Sequence, residues 1–431
     1  MFTRFLAEKK SSKFDRGLFV LLWVVFGAIL FLVAPIWSPD TYSYFSVPIH
    51  RFPVYSLVLR GFEFLLGRDA FGLYVVFFQL VVGYIAIRLV YDRCAHVFSL
   101  SRPVRLVLLL ILAAPYAPPL HVGSNLASEG LAYPLYLMVI SFAIDFLFRK
   151  QPQQLLWLAL TFIGLCLTRG QFIIMAPIIA VVFLFHKKKH ILKWGNLKHF
   201  LILILLPFLV KGIDSSFHKV VHGYFVSTPY SYVNAVTLPL FVAKWQDSSA
   251  ISNPDYKHLF VQSYATIDSL GYTRARTMGD SRLQYENFHD HFPMICNQNL
   301  HDKGRAYFFE KEGKEHLNAI RTEQASKALL PILISQNTAA YWSVYFEGIL
   351  EGFKSILLLL FFVGVLLYSC WRVLRRYSAH NAFILLGSTL ILSNALIVGF
   401  ACHSIERYLF YNYFIAFLIV ILTLRKLIPR I

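Results

Sequence analysis

The chain has 431 residues, 57% hydrophobic and 16% aromatic but only 15% charged, with a mean hydropathy of +0.57. A soluble domain carries roughly 25% charged residues, so an ordinary cytosolic enzyme, a disordered chain and a small secreted scaffold are excluded. The composition is that of a polytopic membrane protein. The formal charge of +18 raises a nucleic-acid reading, which its distribution removes below.

The N-terminus is basic and precedes about twenty apolar residues without a small-residue cleavage site, which reads as a retained first helix. A hydrocarbon core of about 30 Å takes about 20 residues of helix. Ten segments reach or approach that length: 17–36, 70–91, 104–120, 128–148, 154–168, 170–186, 199–213, 350–371, 381–400 and 408–424. The fifth and sixth are short and separated by Arg169, but together they are too long for one span. The expected fold is therefore an all-α polytopic membrane protein of about ten helices. It divides into a transmembrane module at 1–213, an outer loop domain at 214–349 and a three-helix module at 350–431.

Ten spans place both termini on one side, and the positive-inside rule selects the cytoplasm. Arg4, Lys9, Lys10, Lys13, Arg16, Arg88, Arg93, Arg102, Arg105, Arg149, Lys150, Lys187 to Lys189, Lys193, Lys198, Arg372, Arg375, Arg376, Arg425, Lys426 and Arg430 all fall on that side. Only Glu8, Asp15, Asp92 and Asp145 oppose them, so this side carries the whole +18. The excess argues orientation and anionic-lipid contact rather than nucleic acid, since His186-Lys-Lys-Lys-His190 has no interleaved aromatics. The same HxxxH suits a metal poorly, and no Walker loop, GxGxxG or paired cysteine spacing occurs.

The outer connections carry the informative residues. Pro53 opens a helix of about fourteen residues, with Val54, Leu57, Val58, Gly61, Phe64 and Leu65 on one face and Ser56, Arg60, Glu63 and Gly67 on the other. Too short to span, it is expected to lie in the outer interface. Asp40 follows the first span in Pro39-Asp40-Thr41, and its plain reading is a turn cap with Thr41. Arg51 lies eleven residues on in the same connection, and Glu129, Arg169, His403, Glu406 and Arg407 come from other outer connections at the same depth. Each has a plain reading too, as lipid anchoring for the arginines, mutual pairing for Glu406 and Arg407, and a favourable helix N-terminus for Glu129. Charges of mixed sign gathered at one boundary favour a shared cavity. In it an arginine holds a phosphate leaving group and a carboxylate takes a hydroxyl proton.

At these residues the chain resembles the GT-C superfamily of polyprenyl-phosphate-sugar glycosyltransferases, including the protein mannosyltransferase and lipid A aminoarabinose transferase branch. The resemblance rests on Pro39-Asp40-Thr41, Arg51-x-Pro53-x-Tyr55, Ser128-Glu129, Leu167-Thr168-Arg169 and Glu406-Arg407-Tyr408. It covers roughly 15–190 and the last two spans, and leaves the large outer loop unmatched. It implies Asp40 as catalytic base, Arg51, Arg169 and Arg407 as donor-phosphate ligands, and Glu129 or Glu406 as a second carboxylate. It also implies a polyprenyl-phosphate-linked sugar donor, a glycan, glycolipid or protein acceptor, and a site on the outer face of a bacterial inner membrane. Thr41 stands where protein mannosyltransferases carry a Glu, and the WWDYG motif of oligosaccharyltransferases is absent.

The large loop adds three weaker expectations. Its residues 303–330 read as one helix with a Glu310–Lys314 pair. His289, His291, His301 and His316 are candidate ligands for a divalent cation, although their spacing is not clean. Cys296 and Cys402 are candidates for a disulfide in an oxidising compartment. The rival functions are an O-antigen-type polymerase or ligase using Arg274, Arg276 and Arg282, a lipid or sugar transporter or flippase, and a non-catalytic assembly subunit.

Overall fold

A computed structural model describes residues 12–427. Arg4, Glu8, Lys9, Lys10 and Arg430 lie outside them. Among the described residues the protein is helical, and its only extended pairing is a bridge between Ile36 and Asn125. In chain order the first nine helices are α1 Lys13–Leu32, α2 Pro39–Phe45, α3 Pro53–Leu66, α4 Phe71–Val97, α5 Arg102–Ala113, α6 Glu129–Phe148, α7 Gln154–Cys166, α8 Met175–Lys187 and α9 Trp194–His222. A group of helices from 214–349, expected above to be the outer group and so called below, follows with α10 Pro254–Ser269, α11 Ser281–Pro293, α12 Asp302–Glu312, α13 Leu317–Gln336 and α14 Thr338–Phe353. The chain then closes with α15 Ile356–Arg375, α16 Ala379–Ala401 and α17 Tyr413–Leu427.

Among the described residues eight stretches are long and apolar enough to cross a bilayer: α1, α4, α6, 170–187, α9, α15, α16 and 406–425. The helices α5 and α7, counted as spans from the sequence, have 12 and 13 residues and fall short of that length. Both nevertheless run between the same two ends as their long neighbours. Arg105 reaches Asp15 at the start of α1, while Asn125 pairs with Ile36 beyond its end. Gln151 bonds the Asp145 carbonyl, while Leu167 accepts from Val54 at the opposite end.

One end of the bundle is basic. Arg93 and Arg149 share the buried Asp145 at 2.8 and 2.9 Å, Arg105 and Tyr91 hold Asp15, Lys188 caps the Leu374 carbonyl and Arg425 that of Phe98. The spanning helices turn apolar side chains outward, including Val20, Leu21, Phe31, Leu205, Phe208, Leu357 and Leu367. In hydrocarbon such exposure costs nothing, and association depends on packing and close approach. At one close crossing, Gly130 of α6 lies so near Gln79 of α4 that an added Cβ would sit 2.2 Å from Oε1. Gln79 in turn accepts from Tyr55 and donates to the Gly123 and Asn125 carbonyls, joining α3, α4 and the turn before α6.

Two boundaries differ from the sequence reading. Helix α9 continues through 213 to His222 and ends at Gly223 in the left-handed conformation (φ 85°). The segment 303–330 is two helices rather than one, because Gly313 and His316 both adopt positive φ between α12 and α13. The outer group packs over the site end, where α14 and the short helix Ser231–Ala235 meet α16.

Candidate functional site

Asp40 sits in the first turn of α2, whose start is fixed without it. Thr41 accepts from the Ser38 backbone N–H at 3.0 Å and donates to the Leu126 carbonyl at 2.8 Å. The turn-capping role expected of Asp40 thus falls to Ser38 and Thr41, and the Asp40 carboxylate is left to point elsewhere. It meets Arg51 at 2.7 Å on one oxygen and Arg407 at 2.8 Å on the other.

From there an alternating row of charges crosses the site end. Arg407 also binds Glu129, with Nη2 at 3.1 Å from Oε2, and Arg169 closes the row on the same carboxylate and on Ser128 at 3.2 Å. Glu129 opens α6 and is buried, so its charge gains from the helix N-terminus as well as from two guanidiniums. Arg169 is an extended residue after α7, tied by its N–H to the Leu165 carbonyl at 2.8 Å. Arg407 lies in a short turn whose Tyr408 carbonyl is held by Gln171 and Asn394. Three arginines and two carboxylates leave one positive charge in excess.

The surplus belongs to Arg51. It binds one carboxylate oxygen only, lies 4.8 Å over the Tyr44 ring, and has a buried Nε with no partner. Burial would raise the Asp40 pKa, but Arg51 and Arg407 outweigh it and hold the group at about 2. Next to Arg51, His50 packs against His301 and Tyr230 at 5.1 and 5.8 Å. Burial first, then His301, Arg51 and Arg305, push its pKa down to about 2, so it is neutral. His301 Nε2 and Arg305 Nε are also buried without partners. His50 and Arg305 were missed in the sequence, and His301 was named there only as a candidate cation ligand. His50 was legible beside Arg51 in His50-Arg51-Phe52-Pro53, whereas the other two come from the unmatched outer loop.

Several expected residues fall elsewhere. Glu406 is exposed, and Arg407 turns from it to Asp40 and Glu129 because a half-buried guanidinium gains more from carboxylates less open to water. His403 stacks on Phe292 at 4.5 Å and meets the His289 carbonyl, which joins the outer group to the end of α16. The Cys296–Cys402 disulfide does not form. Both thiols are free, and Cys296 is buried within the outer group against Asn234 at 3.2 Å. The loop is fastened instead by His403 and by Ser404, which bonds Tyr285 and Gly348.

The four histidines proposed for a cation scatter to separate partners: His289 to His403, His291 to Tyr272, His301 to His50 and His316 to His222. No group of three metal-capable side chains gathers among the described residues. Arg274, Arg276 and Arg282 each engage a near neighbour in the outer group: Gln284, Asp268 and Glu286. Beside the site, a groove of about 820 Å³ opens between α3 and the end of α9, lined by Val47, Leu57, Arg60, Phe64, Phe217, Val221 and His222.

Fold and site together define a multi-pass helical membrane protein with a desolvated, mixed-charge centre at the end opposite its basic pole. No known family, characterised protein or solved structure matches the chain.

Proposed function

We propose that the protein is an integral-membrane glycosyltransferase of GT-C type, crossing the membrane ten times with both termini in the cytoplasm. It transfers a sugar from a polyprenyl-phosphate donor to an acceptor on the outer face of a bacterial inner membrane. The observation that carries the reading is the row Arg51–Asp40–Arg407–Glu129–Arg169, drawn from four separate connections and left with one unbalanced positive charge. A phosphate is the ligand such a row lacks.

The donor phosphate binds Arg51, whose Nε is unspent, and competes with Asp40 for Arg407. The isoprenoid tail lies in the groove between α3 and α9, which faces hydrocarbon through Leu57 and Phe64. Losing its guanidinium partners raises the Asp40 pKa from about 2 toward the range of a useful base. The acceptor hydroxyl oxygen then attacks the anomeric carbon and Asp40 takes its proton. The carbon–oxygen bond to phosphate breaks with its electron pair on the phosphate, where the arginines stabilise it. Glu129 keeps Arg169 and Arg407 in place, and the single displacement inverts the anomeric centre. The charge-lined centre favours this over the polymerase reading, whose loop arginines are each engaged with a near neighbour.

The test is envelope glycolipid and glycan composition by mass spectrometry, in a deletion strain complemented with wild type or Asp40→Asn. One sugar missing in the deletion and restored only by wild type is the expected result, with transfer lowered by about 10²–10⁴-fold in the variant. Full rescue by Asp40→Asn overturns the mechanism. A truncated polymer with accumulated single units returns the function to the polymerase class.

A further inference from the structure

Three buried nitrogens without partners gather where the outer group meets the charge row: Arg51 Nε, His301 Nε2 and Arg305 Nε. Buried polar groups are nearly always paired, so three orphans in one place call for a ligand that the chain does not itself supply. His301 is 5% exposed and ends a π-helical segment, Met294–His301, a wide turn that is uncommon and recurs at functional sites. Arg305 follows four residues on, in the first turns of α12 and on the same face. The segment is firmly seated. Asn299 donates to the Ser263 carbonyl at 3.1 Å, and Tyr230 donates to Asn297.

The cluster joins the row through His50, the chain neighbour of Arg51. Its ring lies 5.1 Å from that of His301 and 5.8 Å from that of Tyr230. Burial first, and then His301, Arg51 and Arg305, keep it neutral, which places Arg305 within reach of the same spot. A carboxylate also stands here: Asp302, mostly exposed, lies 3.3 Å from His301 Nδ1. Nε2 is on the other side of the ring, so a protonated His301 donates to Asp302 on one side and to an anion on the other. Arg305 enters no ion pair among the described residues. Its charge and the surplus on Arg51 face this exposed carboxylate, and the cluster stays positive. Ring packing alone would fasten the outer group, as Phe292 does at His403, and would need neither arginine.

We propose that His50, His301 and Arg305 form, with the Nε edge of Arg51, a second phosphate subsite, so that the sugar donor carries a diphosphate. Arg51 belongs to both subsites. Two phosphates joined by a bridging oxygen suit two subsites that share a guanidinium. The proposal rests on the reading above for the isoprenoid and for transfer, and it leaves that chemistry intact. The acceptor oxygen bonds to the anomeric carbon and its proton goes to Asp40. The bond from that carbon to the phosphate oxygen breaks, and its electron pair leaves with a polyprenyl diphosphate. The second phosphate spreads the charge, and His301 and Arg305 take part of it. The outer group thereby contributes substrate-binding residues.

The experiment is calorimetric titration of the full chain in detergent and EDTA with farnesyl phosphate, farnesyl diphosphate and inorganic phosphate. Farnesyl diphosphate is expected to bind about tenfold tighter than the monophosphate, the contribution of one charge-assisted hydrogen bond. Arg305→Gln and His301→Ala are each expected to erase that preference and leave monophosphate affinity unchanged, which also shows that the variant is folded. Arg305 is only partly buried, so its variant serves if His301→Ala does not fold. Equal wild-type affinities, or a preference that survives both variants, overturn the proposal and leave the donor reading in place. Inorganic phosphate that binds alongside farnesyl phosphate, is lost in Arg305→Gln and comes with no diphosphate preference assigns the subsite to a separate anion, and overturns it too. Failure of both isoprenoids to bind the folded chain overturns the donor reading and this proposal with it.

Discussion

Glu129 is the residue on which the site's electrostatics turn. It is shared by Arg169 and Arg407, and taking it away strands two guanidiniums in a desolvated place. Removing one partner of a buried pair costs about 3–5 kcal/mol, so Glu129→Gln is expected to lower thermal stability in detergent by that order, with transfer lost as well. Asp40 behaves differently because it is more open. Its folded pKa of about 2 lies below the ordinary carboxylate value, so its ion pairs stabilise fully above about pH 4 and are lost as pH falls toward 2. On the proposed mechanism, kcat/KM reports the free enzyme and keeps its acid limb below about pH 4. The acid limb of kcat lies higher, because the bound phosphate has taken the arginines. Parallel pH–rate profiles of the two constants check this, and coincident limbs would remove the exchange of partners from the mechanism.

Among the elements, α3 is the one whose sequence pattern and role agree best. The sequence gives its span and its lack of length to cross, and Leu57, Phe64 and Leu65 do face outward. The buried side is Tyr55, Ser56 and Leu59, and the polarity pattern alone did not single these out, because Tyr55 is held by a hydrogen bond to Gln79 on another helix. Gly130 makes that bond possible by leaving room for Gln79. Gly130→Ala is expected to push the Gln79 amide away, release Tyr55 and destabilise by about 1–3 kcal/mol. Thermal unfolding measures the cost, and Tyr55→Phe alone, which removes the same hydrogen bond, is expected to reproduce part of it. The site depends on the same joint, since α3 follows directly on Arg51.

Over the whole molecule, charge is separated along the bundle, with arginines and lysines at one end and the alternating row at the other. The proposed orientation is checked with impermeant maleimide on single-cysteine variants. Arg276→Cys on the exposed outer group is expected to label in intact cells, and Arg376→Cys only after permeabilisation. The reverse result inverts the topology and puts the site in the cytoplasm. The outer group also shows where sequence reading ran out. Its helical character was expected, but the local stop at Gly313 was passed over, and the seating of His301 beside His50 depends on a contact across more than two hundred residues.

The sequence by itself determined the membrane class, the positions of the long apolar helices and the one-sided charge, because hydropathy and charge are properties of local runs of residues. It also named Asp40, Arg51, Glu129, Arg169 and Arg407, since charged residues are conspicuous at an apolar boundary. Only the tertiary structure decided that those five form one row, that Glu406 and His403 stand outside it, and that Cys296 and Cys402 stay apart. Pairing is set by distance and burial among segments far apart in the chain, and no local pattern encodes it.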